Sequence, residues 1–170
     1  MRVHRIGHAS VLAVPALAVI VFASPAFASS TTPGTELGTL HLQQDPQDAV
    51  VSSDGATAYV TTLEGKTVDA VDLGSLSVTN SVSLGAQAGA IALTDRGSNL
   101  LIAEASRNTV VVLDSRTLEQ SGSVSVGSEP IALAAVPGSS QFLAFDYGSA
   151  SVTLADAATG STQNIHVGAK

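Results

Sequence analysis

A chain of 170 residues with 14 acidic residues, seven Lys or Arg and no cysteine carries a formal charge of −7. That balance excludes the clustered Lys and Arg by which proteins grip nucleic acid, and it disfavours anionic membrane surfaces. Without cysteine there are no disulfides, so the core must hold itself together.

The N-terminus reads as an export signal. MRVHRIGH is basic, VLAVPALAVIVF is apolar over 12 residues, and Ala26-Phe27-Ala28 is an A-x-A cleavage site. Together they predict a secretory signal peptide over residues 1–28, cut between Ala28 and Ser29. Twelve apolar residues are short of the roughly 20 that span a bilayer, and no cysteine follows to carry a lipid. No later stretch is apolar enough to span. Removal of residues 1–28 takes Arg2 and Arg5 and leaves 142 residues, five basic against 14 acidic, a charge of −9. That length suits one domain. Ser29 to Glu36 (SSTTPGTE) is a polar linker.

A 42-residue period follows. Asp72, Asp114 and Asp156 keep this step, as do Thr67, Thr109 and Ser151, and Pro46, Ala88 and Pro130. Gly85, Gly127 and Gly168 keep it to within one residue. A fixed period of this size marks one supersecondary unit copied in series, each copy unable to bury its apolar face alone. The units run over about 43–84, 85–126 and 127–168.

Each unit holds four strand signals. The first offers DAVVSS, ATAYVTT, TVDAVD and TNSVSLG, broken at Asp54-Gly55, Glu64-Gly65 and Gly74. The second offers AIALT, NLLIAE, TVVVLD and SGSVSVG; the third IALAAV, QFLAF, SVTLAD and QNIHVG. Short runs rich in Val, Leu, Ile and Thr between Gly, Asp and Ser predict antiparallel meanders. The fourth strands alternate, as in Ser81-Val82-Ser83-Leu84, which suits an outer strand with one wet face. No apolar period of 3.6 is long enough for a helix. The fold class is all-β, with four-stranded antiparallel blades of β-propeller type.

The segments DPQDAVVSSDGATAYVTT, NTVVVLDSRTLEQSGSVSVG and SEPIALAAVPG resemble the YVTN-type bacterial β-propeller repeats, over about residues 39–168. The chain departs from that pattern at Ala88, where a proline is usual. Tyr59-Val60-Thr61-Thr62 becomes Leu-Ile-Ala-Glu in the second unit and Phe-Leu-Ala-Phe in the third. The resemblance implies an exported or surface-associated protein with little catalysis.

Ahead of the first unit lies a lone strand, Leu37 to Leu42, with Leu40-His41-Leu42 aligned on Val82-Ser83-Leu84. Three blades and one extra strand make an incomplete ring, since propellers close with four to eight blades. The simplest expectation is the N-terminal part of a larger propeller. The alternatives are an open arc or a ring assembled from several chains, with self-association through open blade edges.

No constellation for catalysis stands out, and no cofactor or metal site is expected. His41 and His166, the histidines beyond the signal segment, occupy the solvent-facing outer-strand positions of Ser83 and Ser125. The three periodic Asp residues read as turn formers, since their spacing follows the fold. The candidate ligand or partner face comprises the loops from strand two to three and from strand four to one. Its residues are Asp45, Glu64, Lys66, Glu104, Arg107, Glu129, Asp146 and Tyr147. Variable charge on a rigid scaffold is where binding is usually placed, although solvated loops give the same pattern. The expected function is a non-enzymatic binding or scaffold module outside the cytoplasm, for an unidentified protein or small ligand. The alternative is the N-terminal fragment of a propeller enzyme, lactonase-like or quinoprotein-like, with its catalytic residues in further blades.

Mass spectrometry of the exported product should find Ser29 at the N-terminus; a chain beginning at Met1 would reject the cleavage site.

Overall fold

The computed structural model describes residues 38–62, 64, 66–94 and 97–167. The signal segment, its cleavage site and the linker lie outside these residues. The strands are β1 (Pro46–Val51), β2 (Thr57–Thr62), β3 (Thr67–Asp72), β4 (Ser77–Ser83), β5 (Ile91–Leu93) and β6 (Asn99–Glu104). They continue as β7 (Thr109–Asp114), β8 (Gln120–Ser125), β9 (Pro130–Ala135), β10 (Gln141–Asp146), β11 (Ser151–Asp156) and β12 (Thr162–His166). Three sheets result, each a four-stranded antiparallel meander: β1–β4, β5–β8 and β9–β12. The described residues form an all-β arc of three propeller blades. Among the described residues no helix is long and apolar enough to cross a membrane.

Both faces of each sheet are apolar where a neighbour covers them. Tyr59, Val68 and Ala70 of blade one pack against Ile91, Leu100, Ile102, Val111, Leu113 and Leu118 of blade two. On the other side of blade two, Ala92, Leu101, Val110, Val112 and Val124 pack against Phe142, Ala144 and Ala155 of blade three. Polar ties cross the first seam. Ile91 N donates to Asp48 Oδ2 at 3.1 Å, and Thr61 Oγ1 donates to Gly89 O at 2.8 Å.

The turns repeat as strictly as the strands. Lys66, Asn108 and Ala150, 42 residues apart, all take positive φ ahead of the third strand. Leu76, Leu118 and Gly160, again 42 apart, do so ahead of the fourth. Leucine resists this conformation, but Leu118 is repaid by complete burial in the seam against blade one.

Two sequence expectations change. Residues 38–42, the described part of the expected lone strand, belong to none of the three sheets. A fourth outer strand needs a third strand beside it, and these sheets offer none on that side. Its placement still follows the repeat. A Cβ on Gly38 would strike Leu76 Cδ1, just as Asn80, 42 residues on, reaches the next blade through Nδ2 to Thr117 O at 3.2 Å. The second change is register. Asp146 pairs with Ser151 as Glu104 pairs with Thr109, so Leu143-Ala144-Phe145-Asp146 matches the YVTT segment, one residue later than the sequence comparison places it.

The periodic aspartates close the turn between strands three and four. Asp72 Oδ1 accepts from Ser75 N at 2.7 Å. Asp114 Oδ1 accepts from Arg116 N and Thr117 N, and Asp156 Oδ1 from Ala158 N and Thr159 N. These backbone donors, from Ser75, Thr117 and Thr159 foremost, hold the three carboxyls below their ordinary 3.8. The Ser52 hydroxyl does the same for Asp54 in the first hairpin. A depressed folded-state pKa gives stability that is whole above the unfolded value and is lost as pH falls through the folded one. Thermal melts should therefore show no loss from these groups between pH 7 and 5 and a progressive fall below about pH 4. Asp114→Asn should flatten that fall; an unchanged acid slope in the variant would count against the turn role.

Candidate ligand-binding face

At one end of each sheet the second strand stops and a short loop leads into the third. The loop from one blade's fourth strand to the next blade's first strand arrives at this same end. The two loop sets interlock: Gly89 N donates to Ala103 O at 2.9 Å, and Tyr147 N donates to Glu129 O at 3.0 Å. Glu129 N in turn donates to Asn108 Oδ1 at 3.0 Å across the second seam. Single 3₁₀ turns, Ala105–Arg107 and Tyr147–Ser149, shape the second and third loops.

The candidate residues separate into two groups. Asp45, Glu64, Lys66, Arg107 and Glu129 are exposed, and Tyr147 is 73% exposed. Glu104 and Asp146 are not solvated loop residues. Each is the last residue of its second strand and only 2% exposed, because the incoming loop lies over it. They share one repeat position, which Thr62 fills in blade one.

That position is solved differently in each blade. Thr62 Oγ1 bonds Thr67 Oγ1 at 2.7 Å. Glu104 Oε1 accepts from Ala86 N at 3.2 Å, while Oε2 meets Arg107 Nη1 at 3.5 Å. In blade three Ser149 stands where Arg107 would be. Asp146 Oδ2 instead accepts from Thr153 Oγ1 at 2.6 Å and from Ser151 Oγ at 3.5 Å. Asn164 Nδ2 donates to both hydroxyls at 3.1 Å. Asp146 Oδ1 is buried with no hydrogen-bond partner among the described residues. A buried carboxylate gains from paired charge or several donors; Glu104 has the first in part, and Asp146 relies on the second.

In blade two the same arrangement opens a cavity of about 340 Å³, lined by Leu84, Gly85, Glu104, Arg107, Thr109, Val111, Gln120 and Ser123. Leu84 and Val111 give it apolar surface, Thr109, Gln120 and Ser123 hydroxyl and amide groups, and Arg107 is its cation. The guanidinium lies so close over Gly85 that a Cβ there would collide with it. Asp45, Glu64, Lys66, Glu129 and Tyr147 do not line the cavity. His41 and His166 are exposed, and no group of three or more His, Cys, Asp or Glu among the described residues could hold a metal.

No protein-family model and no curated protein matches the chain. Its fold is similar to solved propellers. The periplasmic gluconolactonase of Pseudomonas aeruginosa matches with a TM-score of 0.63 and 25% identity, over 74% of this chain and 40% of that one. Hydrazine synthase of Kuenenia stuttgartiensis matches with a TM-score of 0.63 and 24% identity, over 76% and 38%. The WD40 repeats of RRP9 match with a TM-score of 0.67 at 12% identity, over 74% and 40%. The chain thus spans about two-fifths of the length of these structures. The likeness establishes a propeller-repeat fold.

Packing at this end makes two glycines unequal. A Cβ on Gly127 would lie 2.5 Å from Asp146 Oδ2 and from Ser149 Oγ, whereas one on Gly122 meets nothing within 4 Å. Gly127→Ala should lower stability by about 1–3 kcal/mol through overpacking. Gly122→Ala should be neutral or gain about 0.4–1 kcal/mol by restricting the unfolded chain. Denaturant melts check this, and equal midpoints for the two variants would refute the packing.

Proposed function

We propose that this is an exported, non-enzymatic repeat protein of the YVTN type, binding a partner or small ligand through the loop end of its blades. The supporting observation is the cavity beside Arg107. A rigid sheet presents it, Leu84 and Val111 supply apolar contact, and Thr109, Gln120 and Ser123 supply hydrogen bonds around one cation. Small-ligand sites have this composition. Glu104 holds Arg107 in place from below without covering it, so a carboxylate-bearing ligand has a guanidinium to pair with. The apolar signal-like N-terminus and the small A-x-A residues support export.

A second reading draws on the likeness to the P. aeruginosa gluconolactonase. The chain would then be the opening portion of a propeller enzyme whose reacting groups stand in further blades. Reading genomic DNA beyond the Lys170 codon separates the two: further blades bearing His or acid clusters favour the enzyme.

Binding is tested with gluconate and with a short acidic peptide as probes, followed by thermal shift. A ligand bound only by the folded state raises Tm in proportion to RT ln(1 + [L]/Kd). The wild type should rise with one of these probes and Arg107→Ala should not, while Tyr147→Ala, an exposed position in blade three that does not line the cavity, should behave as wild type. Equal shifts in all three proteins would remove the cavity from the proposal.

A further inference from the structure

The repeat lets the polar groups of each blade be followed position by position, and blade two leaves several of them unused. Thr67, Thr109 and Ser151 open the third strands of the three blades. Thr67 Oγ1 is bonded to Thr62 Oγ1 at 2.7 Å, and Ser151 Oγ to Ser149 Oγ at 2.8 Å. The Thr109 hydroxyl has no hydrogen-bond partner among the described residues. On the fourth strand, Ser81 stands opposite Asp69 and Asn164 opposite Thr153, as Ser123 stands opposite Val111. Ser81 Oγ donates to Asp69 Oδ1 at 2.6 Å, and Asn164 Nδ2 donates to Thr153 Oγ1 at 3.1 Å. Valine offers Ser123 nothing, so its hydroxyl also has no partner among the described residues. Both hydroxyls line the cavity beside Arg107.

The charges there are under-satisfied as well. Glu104 is only 2% exposed, yet it lines the cavity. Its Oε2 meets Arg107 Nη1 at 3.5 Å, whereas a charge-assisted bond usually closes to about 2.7–2.9 Å. Its Oε1 accepts from Ala86 N at 3.2 Å. A carboxylate accepts roughly four hydrogen bonds and a guanidinium donates about five, so both groups have capacity left. Asp146, at the same repeat position, is compensated by Thr153 Oγ1 at 2.6 Å. Val111 stands where that donor would be. The buried acid of blade two therefore gains from a further donor, above all a cationic one, and the arginine from an acceptor.

Resting on the ligand-binding reading above and narrowing it, we infer that the cavity takes a zwitterionic α-amino acid with an aliphatic side chain. Its ammonium donates to Glu104 Oε2 and to the hydroxyls of Thr109 and Ser123, three acceptors for three N–H groups. Its carboxylate takes donors of Arg107 that Glu104 does not use. An α-amino acid carries its two charges on one carbon, and the cavity sets its two opposing charges 3.5 Å apart. The side chain lies along Leu84 and Val111. At about 340 Å³ the cavity is at the small end of ligand sites, which span roughly 300–1,000 Å³. A simple carboxylate would satisfy Arg107 but add negative charge beside Glu104. A simple amine would satisfy Glu104 but crowd the guanidinium.

Calorimetric titration of the purified protein with three matched probes tests this. They are L-leucine, 4-methylpentanoate, which lacks the ammonium, and 3-methylbutylamine, which lacks the carboxylate. L-Leucine should bind at least about tenfold more tightly than either, since each analogue forfeits one charged, hydrogen-bonded group. Glu104→Gln keeps an acceptor for Ala86 N and removes the charge. It should weaken L-leucine by about tenfold and leave 4-methylpentanoate unchanged or tighter. Arg107→Ala should abolish binding of both. Circular dichroism checks folding, and Thr109→Val, which should weaken L-leucine alone, serves if Glu104→Gln does not fold. Should 4-methylpentanoate bind as tightly as L-leucine and depend on Arg107, the amino-acid assignment falls while the carboxylate-binding cavity stands. L-Leucine that does not bind, or that binds indifferently to Glu104→Gln, also overturns the assignment. Failure of every carboxylate probe, gluconate and the acidic peptide included, removes the cavity reading with it.

Discussion

Everything in this arc depends on one constraint: a four-stranded sheet with two apolar faces hides only what its neighbours cover. Blade two is covered on both sides, and its inner strands β6 and β7 are accordingly almost wholly buried. Blade three is covered on one side, and β9, as apolar as any strand in the chain, stays largely exposed. Burial in this protein is a property of position in the series rather than of sequence. Fully burying a Leu or Phe side chain is worth about 1.5–3 kcal/mol, so what covers a blade's face decides much of what that blade contributes to stability.

The seams also explain why bulky residues accept an unfavourable backbone. At the turn ahead of the fourth strand a left-handed residue is required, and glycine would supply it without strain. Blade three uses Gly160 there. Blade two uses Leu118, whose side chain is carried across the seam into the core between blades one and two. Blade one uses Leu76, half-buried, with its Cδ1 beside Gly38. The same turn thus serves as a packing knob in the first seam, and in the second, where Phe142 and Ala144 already pack against blade two, it is glycine.

Much of this was legible in the sequence because the repeat reports the backbone three times over. The period of the aspartates marked the turns they close, and alternation in Ser81 to Leu84 marked an outer strand. The site was less legible. Asp146 read as a loop acid because it stands beside Tyr147 and Gly148; Glu104 closed the strand signal NLLIAE, yet nothing local signals that a distant loop folds over either. Comparison by period offered the missing clue, since Thr62 at the same position is a strand residue. The left-handed leucines were invisible for a related reason. Leucine is no turn signal, and only the seam it fills makes the conformation affordable.

The shared position of Thr62, Glu104 and Asp146 shows how such a scaffold comes to carry a site. A neutral hydroxyl pair satisfies the buried position in blade one and leaves nothing to spare. A carboxylate in blade two requires compensation, and Arg107 supplies it from the surface, at 3.5 Å and without full enclosure. A guanidinium held on one side by a buried acid keeps donors free on the other. In blade three the acid is shorter by one methylene and Ser149 replaces the arginine, so hydroxyls close around the carboxylate and the polar capacity turns inward. The cavity of blade two is therefore a consequence of how one buried charge is compensated. Its neighbours, built on the same strands, satisfy the same position with hydroxyls and have no cation there.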